Sequence, residues 1–171
     1  MNSRVIALVG PRGAGKSTVG PRVAARLSLH YRDADLEIET CVGMGVSELL
    51  RQRGEAEFRR IEDEVSSRLL DQSGVVVALG GGGVLCPGVF ARLGAGRVFC
   101  VFLHAPVATL VARLAEEPRP PLTGLPLAEE VAALLAQRLP RYRNVAALEV
   151  DTSAVGPDEC ARRIEAALRS I

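Results

Sequence analysis

Gly10-Pro11-Arg12-Gly13-Ala14-Gly15-Lys16-Ser17 follows the apolar run Arg4 to Val9 and leads into a segment of helical spacing, Lys16 to Leu27. The spacing is GxxxxGK[ST], between a strand and a helix, the context in which that pattern cradles phosphate. Glycines let backbone N–H groups turn inward where a Cβ would obstruct, and the helix N-terminus adds a positive dipole end. Lys16 is a mobile point charge for the outer phosphates, and the Ser17 hydroxyl is a small hard ligand for Mg²⁺. The alternative is a glycine-rich turn without nucleotide. Nothing in the stretch specifies an acceptor.

Outward from it, short β-branched runs alternate with helical segments. Strands are expected at Arg4 to Val9, Tyr31 to Asp33, Val75 to Leu79, Val98 to Leu103 and Leu148 to Asp151. Helices are expected at Lys16 to Leu27, from Leu36 with Asp35 as N-cap, and at Val46 to Arg53 and Glu55 to Asp71, hinged at Gly54. Further helices are expected with Pro106 in a first turn, at Glu129 to Leu139 and at Asp158 to Arg169. Apolar strands separated by helices imply an α/β fold: a parallel sheet covered on both faces. Glu116 to Pro126, rich in proline and charge, reads as a long exposed loop that closes as a lid. Residues 1–171 read as a single domain.

Composition narrows the function. The 171 residues are 48% hydrophobic and 24% charged with a net charge of +1, which argues for a globular chain without a basic field for nucleic acid or membrane. Tryptophan is absent and aromatics are 4%, against a stacking platform for single strands. No apolar run approaches the ~18 residues of a membrane span. Cys41, Cys86, Cys100 and Cys160 are scattered, without zinc spacing, and suit small buried hydrophobes in a reducing cytoplasm.

Several side chains carry two readings each. Asp33 could hold Mg²⁺ through water and Asp35 could orient or deprotonate an acceptor hydroxyl; alternatively Asp35 caps a helix and Asp33 is a solvated turn acid. If the strand ran through both, they would share a face. Arg59 either pairs with Glu62 three residues on, or offers a guanidinium fork to a substrate carboxylate with Glu62 holding its aim. Arg119, in Arg119-Pro120-Pro121-Leu122, is a loop arginine or one that closes over the triphosphate. Arg138 is a basic helix end or a second carboxylate ligand. Gly80 to Gly83 forms a tight turn or lets a ligand approach bare backbone.

Taken together, GPRGAGKST, RDADLEIE, GEAEFRRIE, ALGGG, RPPL and RLPRYRNVA resemble the shikimate kinase family, in order and over Arg4 to about Arg169. The resemblance implies a three-layer α/β/α P-loop kinase fold with a mobile lid at about 115–126 and a substrate segment at about 34–61. It implies ATP and Mg²⁺, with Gly13, Ala14, Gly15, Lys16, Ser17 and Thr18 on the nucleotide and Ser17 with Asp33 on the metal. It implies Lys16, Asp35 and Arg119 as the catalytic set, with Arg119 also at the phosphates and Arg113 and Pro157 near adenine. Asp35, Arg59, Gly81, Gly82 and Arg138 would bind shikimate. A cytoplasmic monomer acting on a small molecule is the matching expectation. The competing readings are a kinase of the same fold for gluconate or a cyclitol acid, and a nucleotide-binding module without turnover. Pro21 departs from the family pattern and is expected to kink or weaken its helix. Gly83 departs too, and is expected to loosen the glycine loop. Ser153 to Gly156 lacks an arginine often found there.

Overall fold

A computed structural model describes residues 4–116 and 123–170. Among these, β1 (Val5–Val9), β2 (His30–Asp33), β3 (Val75–Ala78), β4 (Val98–His104) and β5 (Leu148–Asp151) form one parallel sheet in the order β2-β3-β1-β4-β5. The helices are α1 (Lys16–Leu27), α2 (Ala34–Val42), α3 (Val46–Leu70), α4 (Pro87–Gly94), α5 (Val107–Glu116), α6 (Leu127–Val145) and α7 (Pro157–Arg169).

The three central strands β1, β3 and β4 are apolar on both faces because helices cover both, while the edge strand β2 is polar. Val5, Ala7 and Val9 of β1 pack with Ile38 of α2, Phe58 and Val65 of α3 and Val89 of α4. The alternate residues Ile6 and Leu8 pack with Val23 of α1, Leu110 of α5 and Ile164 of α7. Each such buried aliphatic side chain contributes about 1.5–3 kcal/mol, which is what holds three layers together. The register aligns Leu8 with Ala78 and Val101, and Ala78 with Asp33. The cradle, Asp33 and the glycine run therefore leave the sheet along one carboxyl edge.

Several local expectations differ from the structure, and α4 was not among the helices expected. The cap of α2 is Asp33, not Asp35: Asp33 keeps extended backbone (φ −108°, ψ 120°) and its carboxylate accepts the Asp35 N–H, so the helix begins at Ala34. Asp33 and Asp35 thus do not share a strand face. Helix α1 runs unbroken through Pro21, because the ring costs one helix hydrogen bond while Val19, Val23 and Ala24 stay buried. Helix α6 likewise passes Pro140 and reaches Val145, since Tyr142 and Val145 beyond it are buried. Gly83 tightens its loop: its N–H bonds Gly80 O at 2.9 Å and begins a short 3-10 turn at 83–85. Pro106 stands just ahead of α5 and accepts the Leu110 N–H. The expected hinge at Gly54 is a kink inside α3 with φ 78° and ψ 170°. The middle of the expected lid, residues 117–122 with Arg119, lies outside the described residues. Among the described residues no helix is long and apolar enough to cross a membrane.

Candidate active site

The cradle is built where β1 stops. Gly10 has φ 144°, and a Cβ there would sit 2.1 Å from Leu103 O, so the chain passes β4 only as glycine. Gly15 caps α1 at φ 89° with open space where a side chain would be. No side chain caps this helix, so the Lys16 and Ser17 N–H groups at its start are left for an anion, while the Thr18 N–H donates to Gly15 O at 3.1 Å. Lys16 Nζ donates to Gly10 O at 2.7 Å and Pro11 O at 2.9 Å, folded back over the loop a triphosphate would fill. Ser17 and Thr18 are exposed on the same first turn. Ala14 is fully buried beneath.

Arg113 lies beside the cradle, on the side expected to face the nucleotide. Its guanidinium donates to Gly13 O at 3.0 Å, Thr152 Oγ1 at 3.0 Å and Thr152 O at 2.9 Å. It braces the cradle against the end of β5. Pro157 is exposed at the first turn of α7.

On the acid side, Asp33 accepts the Asp35 N–H at 3.0 Å and the Tyr31 hydroxyl at 3.2 Å. Burial, with Asp33 beside it, raises the Tyr31 pKa and keeps the phenol a donor. Tyr31 fits because α1 offers Gly20: a Cβ there would lie 2.4 Å from the ring.

The glycine run is where the remaining groups meet. A Cβ on Gly80 would lie 2.9 Å from Asp35 Oδ1 and 2.6 Å from Glu62 Oε1. One on Gly81 would lie 3.4 Å from Arg138 Nη1, and one on Gly82 only 2.2 Å from Arg59 Nη1. Bare backbone is what allows an acid and two guanidinium groups to gather there. Arg59 pairs with Glu62, which is 1% exposed, and more loosely with Glu55 at 3.5 Å. Burial opposes the Arg59 charge, but Glu62 outweighs it and the pKa rises. The two readings of Arg59 are therefore compatible, the pair serving to aim the fork. Glu62 also accepts from the Cys86 thiol at 3.6 Å, whose pKa burial and Glu62 push up to about 12.

Arg138 is 6% exposed, and its Nε finds no hydrogen-bond partner among the described residues. A buried cationic donor left unsatisfied is costly unless an anion completes it. The structure thus gathers Asp35, Arg59 and Arg138 around Gly80, Gly81 and Gly82, beside the cradle. Among described residues no group of three or more His, Cys, Asp or Glu side chains could hold a metal.

A shikimate kinase family model matches residues 12–169. The chain belongs to the shikimate kinase family. Shikimate kinase of Mycobacterium ulcerans (strain Agy99) is 42% identical over 159 residues, covering 92% of this chain and 85% of that one. Shikimate kinase of Xanthomonas euvesicatoria pv. vesicatoria (strain 85-10) is 38% identical over 160 residues, covering 93% and 88%. The structure of shikimate kinase from Acinetobacter baumannii in complex with shikimate superposes with a TM-score of 0.91 at 32% identity, covering 98% of this chain and 94% of that one. The shikimate kinase fold thus spans the three layers described above.

Sequence reading passed over two residues that the geometry brings forward. Glu130, 3% exposed, accepts the Thr123 N–H at 2.6 Å and its hydroxyl at 2.8 Å, tying the chain ahead of α6 to that helix. Tyr142 reaches Gly81 O at 2.5 Å. Glu130 stands in none of the quoted stretches, and Tyr142, though it lies within RLPRYRNVA, gave no signal of its own beside Arg138.

Proposed function

We propose that the chain transfers the γ-phosphoryl group of ATP to a shikimate hydroxyl, giving ADP and shikimate 3-phosphate. The observation that carries this is the convergence of Asp35, Arg59 and Arg138 on the glycine run, with Arg138 buried and its Nε lacking a partner among the described residues. Two guanidinium groups suit a carboxylate, and an acid beside them suits a hydroxyl, so the site fits a small hydroxy acid.

In this reading Arg59, aimed by Glu62, and Arg138 hold the acceptor carboxylate. Asp35 orients the reacting hydroxyl and accepts its proton as the new O–P bond forms and the bond to ADP breaks. Lys16 leaves the Gly10 and Pro11 carbonyls for the phosphates, and the Lys16 and Ser17 N–H groups at the start of α1 share the charge. Arg119 is assigned to the transferring phosphoryl group by its place in the sequence. Residues 115–126 act as the lid, and Arg113 reaches the nucleotide through the cradle it braces.

Ser17 and Asp33 would hold Mg²⁺. A hydroxyl and a carboxylate are hard oxygen donors, and a site with few protein ligands suits an ion that keeps waters and phosphates around it. When bound, it neutralises charge on the phosphate oxygens. A cytoplasmic monomer completes the reading: the four thiols are unpaired, and Leu36, Leu125 and Leu127 are the exposed large apolar side chains among the described residues.

The test is acceptor-dependent ADP release with MgATP, comparing shikimate, quinate, gluconate and no acceptor. Turnover with shikimate alone is expected, reduced about 10²–10⁴-fold in Asp35→Asn. ADP release equal to the no-acceptor background overturns the reading.

A further inference from the structure

Tyr142 is fully buried on α6, one turn beyond Arg138, with its ring stacked on Phe102 of β4 at 5.0 Å and 18°. Its hydroxyl donates to Gly81 O at 2.5 Å. A trans peptide points its C=O and its N–H in opposite directions. With the Gly81 carbonyl held by the phenol, the Gly82 N–H points the opposite way, away from Tyr142 and free of that bond. Within the run the backbone bonds are Gly83 N–H to Gly80 O and Leu85 N–H to Gly82 O, so neither the Gly81 nor the Gly82 N–H is consumed by its own turn.

We infer that Tyr142 is a positioning residue for the acceptor: its hydroxyl fixes the Gly81–Gly82 peptide so that the Gly82 N–H and the Arg138 guanidinium present one rigid edge to the substrate. Both come from α6, the arginine directly and the amide through the phenol, so their separation is set by one helical turn. The ring cannot slide, because Phe102 belongs to the central sheet and carries the stack. Glycine leaves the loop no side chain with which to hold its own peptide plane, and an internal donor supplies what the sequence omits. The phenol stays protonated for this role: burial pushes its pKa up to about 12, with the Arg138 charge, the Arg138 hydrogen bond to the phenol and the Arg59 charge acting against burial and Glu62 with it.

The inference rests on the acceptor reading above. Its test is Tyr142→Phe in the full chain, which keeps the stack and the volume and removes the donor. Leaving a buried carbonyl without its partner costs enough to predict a roughly five- to fiftyfold rise in the shikimate KM, with the ATP KM within about twofold of the parent. Amide exchange at Gly82 and Gly83 in the free protein is expected to accelerate, while that of β1 does not. Equal changes in both KM values, or a lower Tm with an unchanged shikimate KM, overturn the inference. If the parent chain does not turn over shikimate, the acceptor reading fails. Glycine-run exchange then decides alone, faster exchange supporting Tyr142 and unchanged exchange overturning it.

Discussion

Arg59 does two things with one side chain, and the two separate experimentally. It neutralises Glu62, which is 1% exposed, and it stands over Gly82 at the candidate site. Arg59→Ala should raise the shikimate KM about 10- to 150-fold, the worth of a charge-assisted bond, and leave the ATP KM within about threefold. It should also lower Tm, because a buried carboxylate loses its partner. Adding Glu62→Gln removes that stranded charge, so the double variant should recover Tm without recovering shikimate affinity. Steady-state kinetics and thermal melts on the two variants check this; equal effects on both substrates would count against a carboxylate role. Arg59 and Glu62 were legible in sequence as a pair three residues apart. That Glu62 is buried was not, since nothing local distinguishes it from the exposed Glu64 two residues later.

At the scale of elements, the glycines divide by what they approach. Gly10 lies against backbone: a Cβ would meet Leu103 O at 2.1 Å, and φ is 144°. Gly82 lies against the movable end of a side chain, Arg59. Gly10→Ala should therefore damage the fold, dropping Tm by roughly 5 °C or more, because neither β1 nor β4 can yield. Gly82→Ala should lower Tm less than Gly10→Ala does, because the guanidinium can shift, and should raise the shikimate KM while the ATP KM stays unchanged. Thermal melts paired with kinetics separate the two outcomes, and a large Tm loss in Gly82→Ala would show that its loop is held by more than Arg59. Sequence reading marked both glycines without ranking them, because rank depends on what tertiary folding places opposite. The same holds for Pro21 and Pro140. Local rules end a helix at proline, yet α1 and α6 continue because buried residues on the far side outweigh one missing hydrogen bond.

For the whole molecule, burial of ionisable groups sets the alkaline limit. Tyr142, Cys86 and Cys100 are each pushed up to about 12, mainly by burial, from ordinary values of 10.0 for tyrosine and 9.0 for cysteine. Tyr31 moves in the same direction. Above those ordinary values the unfolded chain has lost protons that the folded chain keeps, so stability must fall as pH rises. The window opens near pH 9 with the thiols, deepens above 10 with the phenols and reaches about 12 for Tyr142, Cys86 and Cys100, with Tyr31 extending it further. A Tm series across this range should decline from about pH 9, with tyrosinate absorbance appearing only as the chain unfolds. Tyr142→Phe should decline less steeply. A Tm flat to pH 11 would show that these groups ionise without cost. With two tyrosines and no tryptophan in the chain, the absorbance reports these phenols alone.

What the sequence determined by itself is whatever rests on local covalent pattern. The cradle needs glycines, a lysine and a serine at fixed spacing after a strand, and the alternation of apolar strands with helices requires a sheet covered on both sides. The order of the five strands, the Gly54 hinge and the family likeness follow from chain order alone, whereas the short helix α4 (Pro87–Gly94) was not among the helices expected. What only the tertiary structure decided is which distant residues share a space: Asp35 and Glu62 at Gly80, Arg138 at Gly81, Arg59 at Gly82, Arg113 under the cradle and Tyr142 behind the loop. The cap of α2 fell to Asp33 for the same reason, since the pairing of β2 with β3 runs through Asp33 opposite Ala78 and fixes where the strand ends. Spacing along a chain encodes periodicity, whereas burial and contact across the sheet depend on the packed position of every other element at once.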